Sequence, residues 1–257
     1  MKITFLGTGT SQGVPVIGCD CEVCQSSDMR DKRLRTAAMV ESQGQTIVID
    51  VGPDFRQQLL RSKVSDVSAI LLTHEHNDHI IGMDDVRPLN FKHHKSMPVY
   101  AETRVQQELK ERFAYIFAEN PYPGAPRLIL ESIDYQRGIV IGGLKITPIR
   151  VWHGSLPILG FRFGAFTYLT DLNRVEASEI EKIKGTKILA IDALHHSKHH
   201  SHFNLEESLA FIEKIQPERA YLLHISHRMG LHESVNATLP PYVQLAYDGL
   251  VINLDEN

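Results

Sequence analysis

Three imidazoles and two carboxylates fall within the six residues His74-Glu75-His76-Asn77-Asp78-His79, directly after the apolar run Ala69-Ile70-Leu71-Leu72 and Thr73. The run has the length of a strand and no helical periodicity, so the polar residues stand on its exit loop. Imidazole nitrogen and carboxylate oxygen are ligands for borderline-soft divalent metals. The H-x-H-x-D-H spacing lets His74 and His76 face one ion while Asp78 and His79 reach an adjacent one. The plain alternative is a polar loop after a strand, but histidines seldom fall at this spacing by chance.

A dinuclear centre needs more ligands, and they are expected at other strand ends. His153 follows the strand pattern Leu144 to Val151, Asp171 follows Tyr168-Leu169-Thr170, and His224 follows Tyr221-Leu222-Leu223. Taken singly, each is more often a structural polar residue than a ligand; beside the histidine cluster the balance reverses. The seven suffice for two ions if one carboxylate bridges. Asp50 closes the run Ile47-Val48-Ile49 and is placed to support a histidine ligand from behind by a hydrogen bond.

Cys19, Cys21 and Cys24 lie within six residues and are the only cysteines. Such close spacing does not make a disulfide framework. Three thiols can wrap one tetrahedral ion if a fourth ligand arrives from elsewhere. His227, three residues after His224 and pointing away from the first site, is the candidate. The alternatives are ordinary reduced thiols and a surface histidine; a catalytic thiol would lack a local base. A second histidine cluster spans His195 to His202. Most of it reads as solvated, but His202 precedes a helix that Asn204 would cap, and there it can bind a phosphate or protonate a leaving oxygen. Arg87 could reach a substrate phosphate, with a surface ion pair the equal alternative.

The elements that must position these residues come from one domain spanning 1–257, with 42% hydrophobic residues and length enough for a sizeable core. A first strand covers Lys2 to Leu6, followed by the small-residue loop 7–13, whose glycines let backbone pass close to the cleft. Strands alternate with helices at 54–61, 103–117, 177–184 and 205–215, and Met83 to Phe91 reads as helix or turn. Two strand-rich halves, each with helices, predict two sheets sandwiched between helical layers. The net charge of −4 provides no basic field for polyanions, so no stable nucleic-acid complex is expected. No apolar run suggests a membrane span and the N-terminus has no signal-peptide layout, so the expected location is cytoplasmic.

In their order along the chain, the motif from Thr73 to His79, His153, Asp171 and His224 resemble the metallo-β-lactamase-fold hydrolases, across essentially the whole chain. That resemblance implies a four-layer αββα sandwich of two mixed sheets. It implies one ion on His74, His76 and His153, another on Asp78, His79 and His224, and Asp171 bridging. The segments Gly18 to Cys24, Gly82 to Arg87 and Leu223-His224-Ile225-Ser226-His227 further resemble the phosphoribosyl cyclic phosphodiesterase group. This implies a structural zinc on the three cysteines and His227, His202 as proton donor, and a possible homodimer. Two active-site ions, zinc or manganese, would bring a bridging water to a pKa near ~7 for attack on phosphorus, with Asp78 orienting the nucleophile or accepting its proton. The expected substrate is a small cyclic phosphodiester, phosphoribosyl cyclic phosphate or a 2′,3′-cyclic nucleotide. The rivals are a tRNA 3′-processing endonuclease, which would need a basic or glycine-rich arm, a glyoxalase II-like thioester hydrolase, a flavodiiron-type oxidoreductase and a non-catalytic metal-binding protein.

Overall fold

A computed structural model describes residues 1–255. Fifteen strands form it: Lys2–Gly7 (β1), Ala37–Ser42 (β2), Gln45–Ile49 (β3), Ala69–Leu71 (β4), Met97–Ala101 (β5), Leu128–Ser132 (β6), Ile139–Ile141 (β7), Leu144–His153 (β8), Leu156–Phe163 (β9), Phe166–Leu169 (β10), Arg174–Val175 (β11), Ile188–Asp192 (β12), Arg219–Leu223 (β13), Val243–Leu245 (β14) and Val251–Asn253 (β15). Seven make one sheet in the order β15-β1-β2-β3-β4-β5-β6. Eight make the other, in the order β11-β8-β9-β10-β12-β13-β14 with β7 paired to β8.

Along these orders both sheets repeat one pattern, three antiparallel pairings followed by three parallel ones. Hairpins such as β8–β9 need only tight turns, whereas the parallel strands need crossovers, and helices such as Thr103–Arg112 and Leu205–Ile215 provide them. Burial follows from this. β8 alternates buried and exposed residues through its first half, while β10 and β12 are buried on both faces. One apolar cluster, including Phe5, Ile49, Phe161, Phe163 and Tyr168, fills the space between the sheets. A second lies between the first sheet and its helices, and a third between the second sheet and its helices. These are the layers of an αββα sandwich, as the sequence predicts.

The helix expected over 103–117 ends at Arg112, and Phe113 and Ile116 pack into the core from the turns beyond it. The segment expected as helix or turn at 83–91 is a 3-10 turn at Ile81–Val86 leading into the helix Arg87–His93. β6 is an edge strand that opens on the apolar Leu128-Ile129-Leu130, and three of its five residues are exposed.

Most candidate ligands gather beyond the carboxyl ends of parallel strands, where open α/β sheets place ligands, and His153 joins them from the end of the antiparallel β8. Hydrogen bonds cross between the sheets at this edge: Leu159 N–H donates to Thr73 O (3.1 Å), and Ile225 N–H to Thr8 O (2.9 Å). Two glycines permit a closer approach. A Cβ on Gly52 would lie 2.0 Å from the Asp78 carbonyl oxygen, and one on Gly82 would lie 2.1 Å from that of Gly52. The turn after β3 is thereby pressed against the metal-ligand loop. Gly52→Ala should displace that loop and destabilise the protein by about 2–3 kcal/mol; urea unfolding with an unchanged midpoint would show that the contact is dispensable.

Candidate metal centre

Several of the strand ends at this edge have locally forced backbone. Seven non-glycine residues among those described have positive φ, and three belong to this edge: Asp50 (64°), Asp171 (56°) and His224 (57°). They directly follow β3, the Leu169-Thr170 end of β10, and β13. Left-handed backbone is disfavoured for residues with a Cβ and collects at functional sites. Here it turns each side chain off its strand and into the cleft.

Asp78, His79, Asp171 and His224 present ligand atoms all within 4.8 Å of one another, and so do His153, Asp171 and His202. Asp171 belongs to both groups, the position a bridging carboxylate requires. His74 Nε2 and His76 Nδ1 lie 3.0 Å apart, close to the separation of about 3.3 Å for two imidazoles on one tetrahedral ion. The rings of His74 and His76 pack at 5.7 and 5.1 Å from that of His153. All seven predicted ligands therefore face one cleft, with His76 on its exposed side.

Two buried atoms test whether metal fits. His79 Nε2 lies 3.3 Å from Asp171 Oδ2, and His224 Nε2 lies 3.0 Å from Asp171 Oδ1. Both nitrogens are buried without a hydrogen bond. Asp78 Oδ2 also lies 3.2 Å from His79 Nε2, so these atoms crowd one space, as ligands of a common ion would. Two of the ligand imidazoles are supported from behind, whereas His224 Nδ1 is buried without a hydrogen bond, 3.7 Å from Asp192 Oδ1. His79 Nδ1 bonds Asp50 Oδ2 (2.7 Å), and His153 Nδ1 bonds Ser201 O (3.0 Å). Thr73 donates its N–H (2.9 Å) and its hydroxyl to Asp50. Such carboxylate–histidine and carbonyl–histidine pairs orient metal-binding imidazoles.

Charge is sorted in the same way. Burial opposes ionisation of Asp78 and Asp171, yet His79 holds the first well below the usual carboxylate range, and His224 with His79 does the same for the second. Burial would lower His224, but Asp171 holds it up at about 9. Burial keeps His74 and His153 low, the latter at about 4, so both retain neutral lone pairs. The donor set suits divalent cations.

Asp192 is the functional residue that sequence reasoning missed. Its Oδ2 contacts His202 Nδ1 (2.8 Å) and accepts the Leu172 N–H (3.1 Å), while Oδ1 lies 3.7 Å from His224 Nδ1. The signal was available, because Asp192 closes an apolar run just as Asp50 does. Burial raises Asp192 and lowers His202 to about 3, His224 adding to the second effect. The His202 ring lies 4.6 Å from that of His153 and 4.7 Å from that of His224. Behind it, Asn204 caps the helix Leu205–Ile215 in a full capping box with Glu207, as expected.

Other polar residues nearby are committed elsewhere. Arg104 pairs with Glu75, which explains why that carboxylate does not join the ligands. Arg87 is held by Asp84 and by Tyr122 Oη (3.1 Å), so its guanidinium is directed at neighbouring side chains rather than at the seven ligands. His93 bonds the Ser65 carbonyl at the surface.

The three cysteines meet His227 as a separate group. Sγ of Cys19, Cys21 and Cys24 lie 3.3, 3.3 and 3.6 Å from His227 Nδ1. About 3.5 Å is expected between sulfur and nitrogen on one tetrahedral zinc. The Cys24 backbone N–H, and then His227, draw the Cys21 thiol down to about 6, whereas burial pushes Cys24 up to about 11.

Residues 45–225 match the Beta-lactamase superfamily domain. With the αββα layers and the ligand edge, this defines the class: the chain belongs to that superfamily and has the metallo-β-lactamase fold. The crystal structure of a new diphosphatase from the PhnP family superposes with a TM-score of 0.92 at 42% identity, covering 98% of this chain and 96% of that one. At that likeness over almost the full length of both, the chain stands within the PhnP family. Zn(2+)-bound PqqB from Methylobacterium extorquens shares the fold, with a TM-score of 0.80 at 20% identity over 99% and 100% of the two chains. An octanoyltransferase of Porphyromonas gingivalis is 41% identical over 258 residues, covering 100% of this chain and 52% of that protein. The chain thus spans about half the length of that relative. No helix among the described residues is long and apolar enough to cross a membrane.

Cys21→Ser should remove one equivalent of tightly bound zinc per chain and lower the unfolding midpoint. Metal analysis that finds the same zinc content in variant and parent would discard the cysteine site.

Proposed function

We propose that this protein is a metal-dependent phosphodiesterase that hydrolyses small phosphoesters, cyclic phosphodiesters foremost. The observation that carries the reading is the position of His202: its Nδ1 meets Asp192 at 2.8 Å, and its ring lies 4.6 Å from that of His153 and 4.7 Å from that of His224, between candidate ligands of the two ions. A proton donor belongs at that place if an ester oxygen must leave beside two cations. The likeness to a PhnP-family diphosphatase supports phosphorus as the centre attacked. Octanoyl transfer is not carried over, because this chain covers only 52% of the relative so named.

His74, His76 and His153 would hold one ion, Asp78, His79 and His224 a second, with Asp171 between them. Two divalent ions there supply a water of lowered pKa and neutralise charge on the phosphoryl oxygens. The chain's own residues do the rest. Asp78, kept ionised by His79, is available to orient the attacking water and accept its proton. Asp192 fixes His202 through Nδ1, so Nε2 delivers the proton to the leaving oxygen. An anionic phosphate drawn against Nε2 stabilises the protonated ring that burial and His224 otherwise oppose.

Metal-replete protein should turn over 2′,3′-cyclic nucleotides or phosphoribosyl cyclic phosphate in preference to thioesters; a screen in which only thioesters react would overturn the reading. His76→Ala should lower this activity more than about a hundredfold with the fold intact by circular dichroism, and survival of activity on bis-p-nitrophenyl phosphate would contradict the dinuclear assignment. Asp192→Asn should lower kcat by about 10- to 100-fold. In that background His202→Ala should cost little more, because the two act as a unit; losses that simply multiply would separate them.

A further inference from the structure

His79 and His153 are held from behind by Asp50 and by Ser201 O, and His74 Nδ1 meets the Thr73 hydroxyl at 3.0 Å. His76 has no such partner. Its Nδ1 faces His74, and its Nε2 makes no hydrogen bond among the described residues. The residue is also exposed. Its placement therefore depends on the backbone of His74-Glu75-His76, and that backbone is gripped at its middle residue. Glu75 Oε1 accepts the Arg104 Nη1–H, and Glu75 Oε2 is buried without a hydrogen bond, so the carboxylate relies on this guanidinium. The other arm of the guanidinium, Nη2, donates to the Pro157 carbonyl at 2.8 Å. Pro157 lies on β9 opposite Trp152 of β8, next to the pairing of Leu156 with His153. One fork thus joins the loop of His74 and His76, which leaves the first sheet, to the end of the hairpin that carries His153 in the second. Arg104 stands in the first turn of the helix Thr103–Arg112, and that turn is itself tied down. Glu102, just before it, pairs with Arg150 of β8, whose guanidinium lies 3.7 Å from the centre of the Tyr135 ring.

We infer that Arg104 is a positioning residue for one ion of the pair: by bridging Glu75 and Pro157 it sets His74 and His76, from one sheet, against His153, from the other. This rests on the two-ion reading above, in which those three histidines share an ion. Arginine suits the task because its planar fork offers N–H groups to two acceptors at once, a geometry that a lysine ammonium does not hold. The second ion has a separate tie between the sheets, the bond from Ile225 N–H to Thr8 O beside His224. None of the hydrogen bonds of Arg104 goes to a ligand of that ion. The effect of Arg104 is therefore selective, strong at one ion and weak at the other.

The test is zinc binding to the full-length protein, titrated in competition with a chromogenic chelator, which reads the cleft ions and the cysteine-site zinc as separate affinities. His153→Ala identifies the affinity that belongs to the ion of His74 and His76. In Arg104→Met that same affinity should fall by about 10- to 100-fold, with the others within about threefold of the parent. Glu75→Gln, whose amide oxygen still accepts the Arg104 N–H, should keep most of the parent's affinity. The double variant Glu75→Gln/Arg104→Met should repeat the selective loss. It leaves no unpaired buried carboxylate, so melting of its metal-free form should move little. An arginine that merely supported the fold would instead lower that melting temperature and weaken all the sites together. Unchanged affinities in both Arg104 variants, or equal losses at the two cleft ions, would overturn the proposal. Failure of the two-ion reading looks different. A parent protein that binds a single ion in the cleft would discard that reading; the role of Arg104 would then stand if Arg104→Met weakens that ion and fall if it does not.

Discussion

Two fully buried carboxylates at strand ends, Asp50 and Asp192, hold the rest of the site in place. An unpaired charge at either position would cost several kcal/mol. The protein reduces that cost by hydrogen-bonding each, although Oδ1 of Asp192 is left without a hydrogen bond. Asp50 takes the Thr73 N–H and hydroxyl and bonds His79, while Asp192 takes the Leu172 N–H and bonds His202. Each pairing has a second effect. It fixes one imidazole nitrogen, and so decides where the other nitrogen of the ring points. The orientation of the site is therefore set by groups that touch neither metal nor substrate.

The repeated sheet pattern explains why these carboxylates correspond. In each sheet the parallel strands run side by side and end at the same edge. A polar residue that closes one apolar strand arrives near a polar residue that closes the next. The first sheet brings Asp50 and the loop from His74 to His79. The second brings His153, Asp171, Asp192 and His224. Positive φ at Asp50, Asp171 and His224 turns these ends inward. That backbone cost is sustained by the buried clusters behind the strands. The segment after β13 then serves twice, carrying His224 to the cleft and His227 to the three cysteines.

The comparisons divide according to how much of the chain they reach. The PhnP-family diphosphatase matches in fold, length and sequence, and so bears on chemistry. PqqB, at 20% identity, bears on the fold alone. The octanoyltransferase is as similar in sequence as the diphosphatase over the shared region, yet much of that protein lies outside it. The ligand edge is made by residues of this chain, and the reading of its chemistry is argued from them.

Much of the architecture was legible in the sequence because local patterns carry it. Apolar runs of strand length marked most strands, and Asn204 with Glu207 marked the start of the helix at Leu205. The spacing of His74, His76, Asp78 and His79 marked a ligand loop, and Asp50 could be read as a support because it ends such a run. By itself the sequence determined the ligand types, their order and their attachment to strand ends, since these depend on neighbours a few residues away. Only the tertiary structure decided which of them converge. Asp192 meets a ring ten positions along the chain, Glu75 is withdrawn by Arg104, and Arg87 is held by Asp84 and Tyr122. It also separated the buried His195, whose Nδ1 accepts the Ser197 N–H, from the exposed His200 of the same run. The reason is physical: a hydrogen bond depends on distances of a few ångströms in space, and sequence periodicity says nothing of which distant residue supplies the partner.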